Sequence, residues 1–202
     1  MQIQEITAMK NGKIKVLMEG HVQFVLYRSE ARRFELKEGA DLSDDQWQEI
    51  KTEILLKRAK RRAMHLLEKM DRTEKQLRDK LREGGYPQDV TEDAVAYVKS
   101  YHYIDDERYA RNFVRCQQEK KSVLQMKMDL LKKGIASDLI ETALEEEAET
   151  SPEELIEKLL RKRNYDPNTA DLKERQRVYQ FLMRKGFRSD EICRCMKLYA
   201  EL

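Results

Sequence analysis

The sequence predicts a mainly α-helical protein, in which tandem three-helix repeat modules form an elongated array after a small N-terminal β-hairpin or meander segment. Three observations support this fold class. The 202 residues include 7 glycines and 3 prolines, too few for a sandwich or barrel with many turns. Charged residues make up 39% of the chain and hydrophobic residues 40%, a composition typical of long amphipathic helices. The third observation is an internal repeat anchored at Gly85, Gly134 and Gly186, which lie 49 and 52 residues apart.

The first 30 residues differ from the rest of the chain and predict a β-meander. Short runs of apolar and β-branched residues lie at 3–6, 14–17 and 22–27. Between the first two runs stands Asn11-Gly12, a pair that favours a tight hairpin turn because both residues accept positive φ. Glu19-Gly20 separates the second run from the third.

Two helices are predicted after these strands. Residues 29–36 form a short helix that stops at Gly39, where glycine accepts the left-handed conformation. Ser43 and the two aspartates after it can cap another helix that begins near Gln46. Residues 1–50 are therefore predicted to be a β-rich N-terminal segment with short helices.

Each repeat is predicted to contain a helix, a glycine turn and a second helix. An apolar residue stands eight positions before each glycine and a leucine four positions before it, which places both on one helix face. A large apolar residue follows each glycine, and an aspartate three positions further on is predicted to cap the second helix. The apolar residues eight positions before the glycines are Leu77, Met126 and Val178, and the leucines four positions before are Leu81, Leu130 and Leu182. The large apolar residues after the glycines are Tyr86, Ile135 and Phe187, and the aspartates are Asp89, Asp138 and Asp190.

A preceding helix completes each module, and these helices are predicted at residues 51–69, 106–119 and 153–163. Thr73 and Ser122 each lie 12 residues before their glycine, in the N-cap position of the middle helix. The third module has a longer connection into its middle helix. The predicted domains are residues 51–104, 105–150 and 151–202.

Catalytic chemistry finds little support in the sequence. The histidines are scattered over a strand and two helices, and two of the cysteines lie two positions apart and point in different directions on one helix. The sequence lacks glycine-rich phosphate loops and the nucleophile motif of hydrolases. We therefore expect a non-enzyme without a metal or cofactor. The residues considered are His21, His65, His102, Cys116, Cys193 and Cys195.

The sequence also indicates in which cellular compartment the protein is found. No run of residues approaches the roughly 18 apolar positions of a membrane span, and the first residues do not resemble a secretion signal. An odd number of cysteines, three, is typical of reduced thiols in the cytosol. We expect a cytoplasmic protein that is a monomer.

The nearly neutral total of 40 basic and 38 acidic residues conceals segments of opposite sign. Residues 51–82 hold 12 Lys and Arg against 5 Asp and Glu, and residues 158–188 hold 10 against 3, so each segment carries +7. Residues 138–157 hold 9 acidic residues and no Lys or Arg. Two interpretations remain open: the charged faces pair with one another, or the basic segments bind phosphate groups or acidic protein surface.

If the basic segments bind DNA, we expect non-specific contact, because no cluster of Asn, Gln and Arg marks the start of one recognition helix. The candidate binding residues are the cations predicted on the helix faces. They are Arg58, Lys60, Arg61, Arg62, Arg72, Lys75, Arg78, Lys120, Lys121, Lys127, Lys132, Lys133, Arg161, Lys162, Arg163, Arg175, Arg177, Arg184 and Lys185.

The segment around residues 101–113 is rich in aromatic and acidic residues, and we interpret it as mainly structural. Tyr103 and Ile104 are predicted to close the first module. Asp105 or Asp106 is predicted to cap the next helix, where a carboxylate also favours the helix dipole. Tyr109 and Phe113, four residues apart, are predicted to form the buried stripe of that helix.

Several of these stretches together resemble the RecX family of regulatory proteins. Tyr103 to Ala110 is similar to the family's most characteristic stretch. Arg72-Thr73-Glu74 with Leu77 and Leu81 resembles the signature of a first repeat. Residues 130–135 and 181–187 resemble those of the second and third repeats, so the resemblance covers residues 51–202.

The resemblance implies a non-enzymatic modulator of the RecA recombinase. Such a protein binds RecA and its nucleoprotein filament, lodges in the filament groove, and mostly inhibits filament growth, strand exchange and ATP hydrolysis in DNA repair and recombination. Two alternatives remain open from the residues alone. One is a stand-alone helical DNA-binding protein of the helix-turn-helix type, and the other is a helical-repeat adaptor for protein ligands.

Overall fold

A computed structural model describes residues 1–198 of the chain, which fold into two compact units. The first unit is Met1–Asp105, and the second begins at Asp106. A small sheet lies in the first unit, and helices make up most of both units.

The N-terminal sheet has three antiparallel strands in the order β1-β2-β3, which confirms the predicted meander. Its strands are β1 (Ile3–Ala8), β2 (Lys13–Met18) and β3 (Gln23–Tyr27). Asn11 and Gly12 adopt φ values of 61° and 71°, as a tight Asn-Gly turn requires.

One face of the sheet packs into the core of the first unit. Ile14, Val16 and Met18 of β2 are buried and alternate with half-buried residues, the pattern of a strand with one covered face. In β3 the buried residues also include Val25, whose side chain lies against the backbone of Gly85. Both faces of β3 are therefore covered at Val25.

The short helix after the sheet, α1 (Arg28–Arg33), ends earlier than predicted. Glu35 takes the left-handed conformation, with φ 52°, and the N–H of Leu36 donates to the carbonyl of Ala31. The expectation that this helix stops at Gly39 is therefore wrong. Gly39 has φ 77°, but its N–H ties the loop to β1 instead of ending the helix.

A single continuous helix follows, where the sequence predicts two. It comprises α2 (Asp44–Glu49), a π-helical segment (Ile50–Leu56) and α3 (Lys57–Lys69), and the backbone stays right-handed through both junctions. Ser43 caps it as expected, because its Oγ accepts the N–H of Gln46 at 3.2 Å. The predicted boundary after residue 50 falls inside this helix.

The first three-helix domain consists of α3, α4 (Glu74–Glu83) and α5 (Gln88–Ser100). Buried residues of these helices and of the sheet belong to one hydrophobic core. Within it, the ring centroids of Phe24 in β3 and Trp47 in α2 lie 5.1 Å apart. The N-terminal segment and the first domain therefore form one packed structure.

The second unit contains two further three-helix domains, each with its own hydrophobic core. Met126 and Leu130 are buried in the second domain, and Val178 and Leu182 in the third, so the predicted inward face is confirmed. The helices are α6 (Asp106–Gln117), α7 (Val123–Lys132) and α8 (Ser137–Glu147), then α9 (Pro152–Lys162), α10 (Leu172–Arg184) and α11 (Ser189–Cys195).

The three anchor glycines end their helices as predicted. Gly85, Gly134 and Gly186 have φ values of 82°, 85° and 81°, a region that residues with a Cβ rarely occupy. The N–H of the following residue donates to the carbonyl five residues earlier, at 3.4, 3.1 and 3.3 Å. This bond satisfies a carbonyl at the helix end and turns the next apolar side chain back toward the helix.

The aspartates after these turns do not cap the next helices, so that prediction is wrong. Each is the second residue of its helix, and the N-cap position lies two residues earlier. Their negative charge still lies near the positive end of the helix dipole, which favours the helix start. The residues concerned are Asp89, Asp138 and Asp190.

Two predicted N-caps are confirmed. Thr73 Oγ1 accepts the N–H of Gln76, and Ser122 Oγ accepts the N–H of Gln125, both at 3.2 Å. Ser122 Oγ also donates to the carbonyl of Lys185 at 2.6 Å, which links the start of α7 to the end of α10. One hydroxyl therefore stabilises a helix start and joins the second domain to the third.

We predict that Gly85→Ala destabilises the first unit by about 3 kcal/mol. A left-handed residue with a Cβ costs about 1–2 kcal/mol, and overpacking adds a similar amount because the new Cβ would lie 2.3 Å from Val25 Cγ2. Urea denaturation measures the loss. Gly39→Ala is the matched control, since Gly39 has positive φ but a Cβ added there would meet no atom within 4 Å. Equal losses in the two variants would contradict the packing of β3 on this turn.

We also predict that Ser122→Ala costs about 2 kcal/mol, roughly twice the cost of Ser151→Ala. Both hydroxyls cap a helix, but Ser122 additionally satisfies the Lys185 carbonyl. Thermal unfolding of the two variants checks the difference. Equal shifts in melting temperature would show that the link between α7 and α10 contributes nothing measurable.

Candidate partner-binding surfaces

A groove of about 490 Å³ in the first unit brings together cations and aromatic rings. We call it the basic groove. Its cations come from β2 and one face of α3, because α3 residues three or four apart point in the same direction. It is lined by Lys13, Tyr27, Arg58, Arg61, Arg62, His65, Gly84 and Tyr86.

Arg58 anchors one wall of the basic groove. Its guanidinium pairs with Glu30, donates to the carbonyl of Val25 at 3.3 Å, and lies 4.9 Å from the Tyr27 ring centroid. Lys13 Nζ lies 5.6 Å from the same ring centroid. These contacts restrict two cations that are far apart in sequence to one side of the groove.

Arg61 and Arg62 supply the exposed charge of the basic groove. Within residues 1–198, neither guanidinium forms an ion pair, and both side chains face solvent. Burial raises the pKa of Tyr86 above its ordinary value, although Arg58 and Arg62 oppose that shift, so the phenol stays neutral. The groove therefore offers two guanidinium forks and a hydroxyl, groups that suit phosphate or carboxylate oxygens.

Most other cations of the basic segment are paired within the first unit. Lys75 lies 3.4 Å from Asp79, and Arg78 binds Glu74 at 2.5 Å and Glu92 at 2.8 Å. For these two residues, the charge-pairing interpretation holds. Arg72 is half-buried, and the Nε of this residue has no hydrogen-bond partner in the described part of the chain. Lys51, Lys57, Lys80 and Arg82 also form ion pairs.

Glu74 is the centre of a small charge network in the first domain. Burial disfavours its charged form, but hydrogen bonds from Lys99 and Arg78 outweigh burial and hold its pKa below the ordinary value. Lys99 Nζ lies 2.8 Å from the carboxylate. The network joins α4 to α5, because Lys99 lies on α5 and Glu74 on α4.

The cations of the second domain lie mostly beside acidic or aromatic partners. Lys121 binds Asp129 at 2.7 Å and Lys127 binds Glu141 at 2.8 Å, and both carboxylates have lowered pKa values because of these bonds. Lys133 Nζ lies 5.6 and 5.8 Å from the ring centroids of Tyr109 and Phe113. Lys120 and Lys132 are exposed.

Several carboxylates of the acidic segment are also partnered inside the second unit. Glu146 pairs with Arg111 at 2.9 Å, and Glu147 pairs with Arg115, which lowers the pKa of Glu147. In the third domain Arg194 of α11 reaches Glu153 of α9 at 3.0 Å. The charge bands of the sequence are thus neutralised in part by contacts between helices.

The third domain places its candidate cations around the ends of α9 and α10. Arg163 and Lys185 both approach the Phe181 ring, with centroid distances of 3.7 and 5.9 Å. Arg175 instead donates to the carbonyls of Ala170 and Pro167, each at 3.1 Å, and holds the loop before α10. The remaining cations, Arg161, Lys162, Arg177 and Arg184, are exposed.

The aromatic segment between the first and second domains differs from expectation in two places. Ile104 is buried, as predicted, but Tyr103 is exposed and does not close the module. α6 begins at Asp106, directly after Asp105. The fully buried residues of α6 are Ala110 and Val114, whereas Tyr109 and Phe113 are half-buried at the edge of the core. The buried stripe is therefore shifted by one position from the predicted one.

The structure adds residues that the sequence reasoning did not identify. Lys13, Tyr27 and Tyr86 complete the basic groove, and Tyr97 lies under the candidate cation Lys60 on the other flank of α3, with Nζ 4.4 Å from the ring centroid. Tyr27 could have been noticed as an outward aromatic residue at the end of a strand. The contribution of Lys13 depends on how the sheet packs against α3.

The remaining candidate chemistry stays dispersed. Over residues 1–198, no group of three or more His, Cys, Asp or Glu side chains is arranged to hold a metal ion. Cys116 is exposed, whereas burial raises the pKa of Cys195 above its ordinary value. In the same part of the chain, no helix is long and apolar enough to cross a membrane.

Tandem three-helix domains with charged and aromatic surfaces define a class of helical-repeat proteins, and comparison with known proteins identifies the family. Three domain models match in order: the first three-helix domain of RecX at residues 59–97, the second at 105–144 and the third at 151–196. The chain therefore belongs to the RecX family of regulatory proteins.

Individual relatives agree with this assignment. The regulatory protein RecX of Caldanaerobacter subterraneus subsp. tengcongensis is 29% identical over 194 residues, which cover 94% of each chain. That of Geobacillus kaustophilus is 33% identical over 161 residues, covering 77% of this chain and 59% of the relative. A crystal structure of a regulatory protein RecX matches 97% of this chain and 98% of its own, with 29% identity and a TM-score of 0.63. RecX from Lactobacillus salivarius matches 73% of this chain and 98% of its own, with 25% identity and a TM-score of 0.57.

We predict that Glu74 stabilises the first unit in a pH-dependent way. A carboxylate whose pKa is lower in the folded state contributes stability above the unfolded pKa, about 4.3, and loses it as the pH falls through the folded pKa. Glu74→Gln should cost about 1 kcal/mol at pH 7 and flatten the loss of stability below about pH 4. Urea denaturation across this range measures both effects. Glu83→Gln, which removes a solvent-exposed pair with Lys80, should change neither, and an equal effect there would contradict the network.

Proposed function

We propose that this RecX-family chain binds the RecA recombinase and the filament that RecA forms on single-stranded DNA. In this proposal it is a cytoplasmic, monomeric and non-enzymatic modulator that mostly inhibits filament growth, strand exchange and ATP hydrolysis. The observation that carries the proposal is the ordered match of all three RecX domains along the chain. The relatives are regulatory proteins by name, and the family resemblance implies that RecA is the protein they regulate.

The basic groove supports contact with a polyanionic partner. Arg61 and Arg62 are exposed and form no ion pair within residues 1–198, whereas Lys75 and Arg78 are occupied by carboxylates. Unpaired guanidinium groups can bind DNA phosphates or acidic side chains without first breaking an internal contact. The groove therefore offers unpaired cations to such a partner, which the net charge of the segment alone does not reveal.

An apolar surface on α7 supports contact with a protein. Three large hydrophobic side chains are exposed within one arc of this helix, a fourth is exposed at its first residue, and Lys132 lies beside the arc. Contiguous exposed apolar groups next to charged residues are typical of protein-binding surfaces. These residues are Val123, Leu124, Met128 and Leu131.

The proposal is tested by titrating this protein into RecA that hydrolyses ATP on single-stranded DNA. We expect the hydrolysis rate to fall as the protein approaches one molecule per RecA. The control is a concentration series of an unrelated protein of similar charge. An unchanged rate at stoichiometric amounts, with no change in strand exchange, would overturn the proposal.

We further predict that Arg61→Ala, Arg62→Ala and Arg161→Ala together weaken filament binding by about tenfold or more at low salt. Loss of two or three phosphate contacts should also reduce the slope of log K against log salt concentration by about two units. Filament binding at several salt concentrations measures both quantities.

The matched control has the same change in net charge. Lys57→Ala, Lys75→Ala and Lys80→Ala remove three cations that are already paired with neighbouring carboxylates. We expect this variant to bind with nearly unchanged affinity. If the two triple variants lose affinity equally, the effect reports net charge and the exposed arginines have no particular role.

A further inference from the structure

Six helix ends within residues 1–198 combine a left-handed residue with a hydrogen bond to the carbonyl five residues earlier, and one of these six differs from the rest. In each, the residue after the left-handed position donates its N–H to the carbonyl five residues earlier, which normally turns its side chain onto the helix. At five ends this side chain is buried or half-buried, whereas Tyr103 is 47% exposed. The five covered residues are Leu36, Tyr86, Ile135, Tyr165 and Phe187.

The exposed ring of Tyr103 belongs to a row of three tyrosines. Its centroid lies 6.2 Å from that of Tyr101, with an angle of 26° between the ring planes, and Tyr101 is 58% exposed. Tyr101 in turn lies 5.0 Å from Tyr97, at an angle of 58°. His102 holds the turn between the two exposed rings in the left-handed conformation, with φ 57°. Two partly exposed aromatic rings are thus held by a defined backbone turn.

A cation stands at the covered end of this row. Lys60 Nζ lies 4.4 Å from the Tyr97 ring centroid, and within the described residues it forms no ion pair. The row therefore combines exposed π-faces with a nearby ammonium group that can interact with a phosphate. Sites that bind single-stranded nucleic acid combine these two features.

We propose that Tyr101 and Tyr103 form a stacking platform for unpaired bases of single-stranded DNA, with Lys60 at the Tyr97 end of the row to attract the backbone. Nearly parallel rings can be extended by a further flat ring, which favours a base over an aliphatic protein side chain. The second unit offers a different surface for a protein, namely the aliphatic arc of α7. The row of tyrosines lies at the C-terminal end of α5, next to the side of α3 that carries Lys60. The basic groove lies on the opposite side of α3.

This inference deepens the proposed function, because it assigns one contact with the DNA of the filament, but its test does not require RecA. Fluorescence anisotropy compares the binding of the full chain to an oligodeoxythymidylate and to an abasic oligomer of equal length and charge. We expect a preference of roughly tenfold for the strand that carries bases. Binding through phosphates alone gives equal affinities and overturns the platform, as does failure to bind either strand.

Substitutions at Tyr101 and Tyr103 test whether these rings cause the preference for the strand that carries bases. Tyr101→Ala with Tyr103→Ala should bind both strands equally, whereas Tyr101→Phe with Tyr103→Phe should keep the preference because the rings remain. Met70→Ala removes an exposed apolar side chain elsewhere in the first unit and should change nothing. If the alanine pair unfolds, Tyr101→Leu with Tyr103→Leu keeps the apolar contacts and removes only the π-faces.

Two results separate this inference from the proposed function. If the alanine pair keeps the base preference but no longer inhibits RecA, the tyrosines contact protein and the platform is overturned. If the wild-type chain shows the base preference and loses it in the alanine pair, yet has no effect on RecA, the platform stands and the proposed function fails.

Discussion

The left-handed turn between the second and third helices of each domain is the constraint on which the structure depends. Gly85, Gly134 and Gly186 allow the chain to reverse in one residue, and the hydrogen bond to the carbonyl five residues earlier fixes the direction of the next helix. Without that reversal, the apolar faces of successive helices could not meet over so short a connection. Tertiary contacts also form at these turns. The Val25 side chain of the sheet packs on Gly85. The Ser122 hydroxyl donates to the carbonyl of Lys185, the residue before Gly186.

Charge segregation along the sequence has a different meaning once the helices are packed. Carboxylates of the acidic segment meet cations of neighbouring helices, as in Glu147 with Arg115 and Glu153 with Arg194. The charge-pairing interpretation therefore holds for one set of residues, whereas partner binding stays a prediction for another set. Paired cations support helix packing, whereas exposed ones such as Arg61, Arg62 and Arg161 remain available to a partner. Net charge per segment does not separate these sets, because pairing depends on distances between residues far apart in sequence.

The fold could be predicted largely from local signals. The Asn-Gly hairpin, the glycine turns and the caps at Thr73 and Ser122 depend on the conformational preferences of a few adjacent residues, which the sequence displays directly. Local signals also misled, as at the three aspartates expected to cap helices and at Gly39, and other predictions failed where long-range packing decides the outcome. The continuous helix through residues 44–69 shares one core with the sheet, and Lys13 joins Arg58 only where β2 and α3 come together. The exposure of Tyr103 was missed for the same reason, since the turn motif alone predicts a covered side chain.

As a regulator, the chain would act through its surfaces, and the central claim is that its target is the RecA filament. Sedimentation of RecA filaments preassembled on circular single-stranded DNA tests this claim most directly, with free RecA and bare DNA as parallel samples. We expect the protein to sediment with the filament in a stoichiometric amount and to be released as the salt concentration rises. Recovery of the protein in the supernatant at every salt concentration, with filaments intact in the pellet, would contradict the claim.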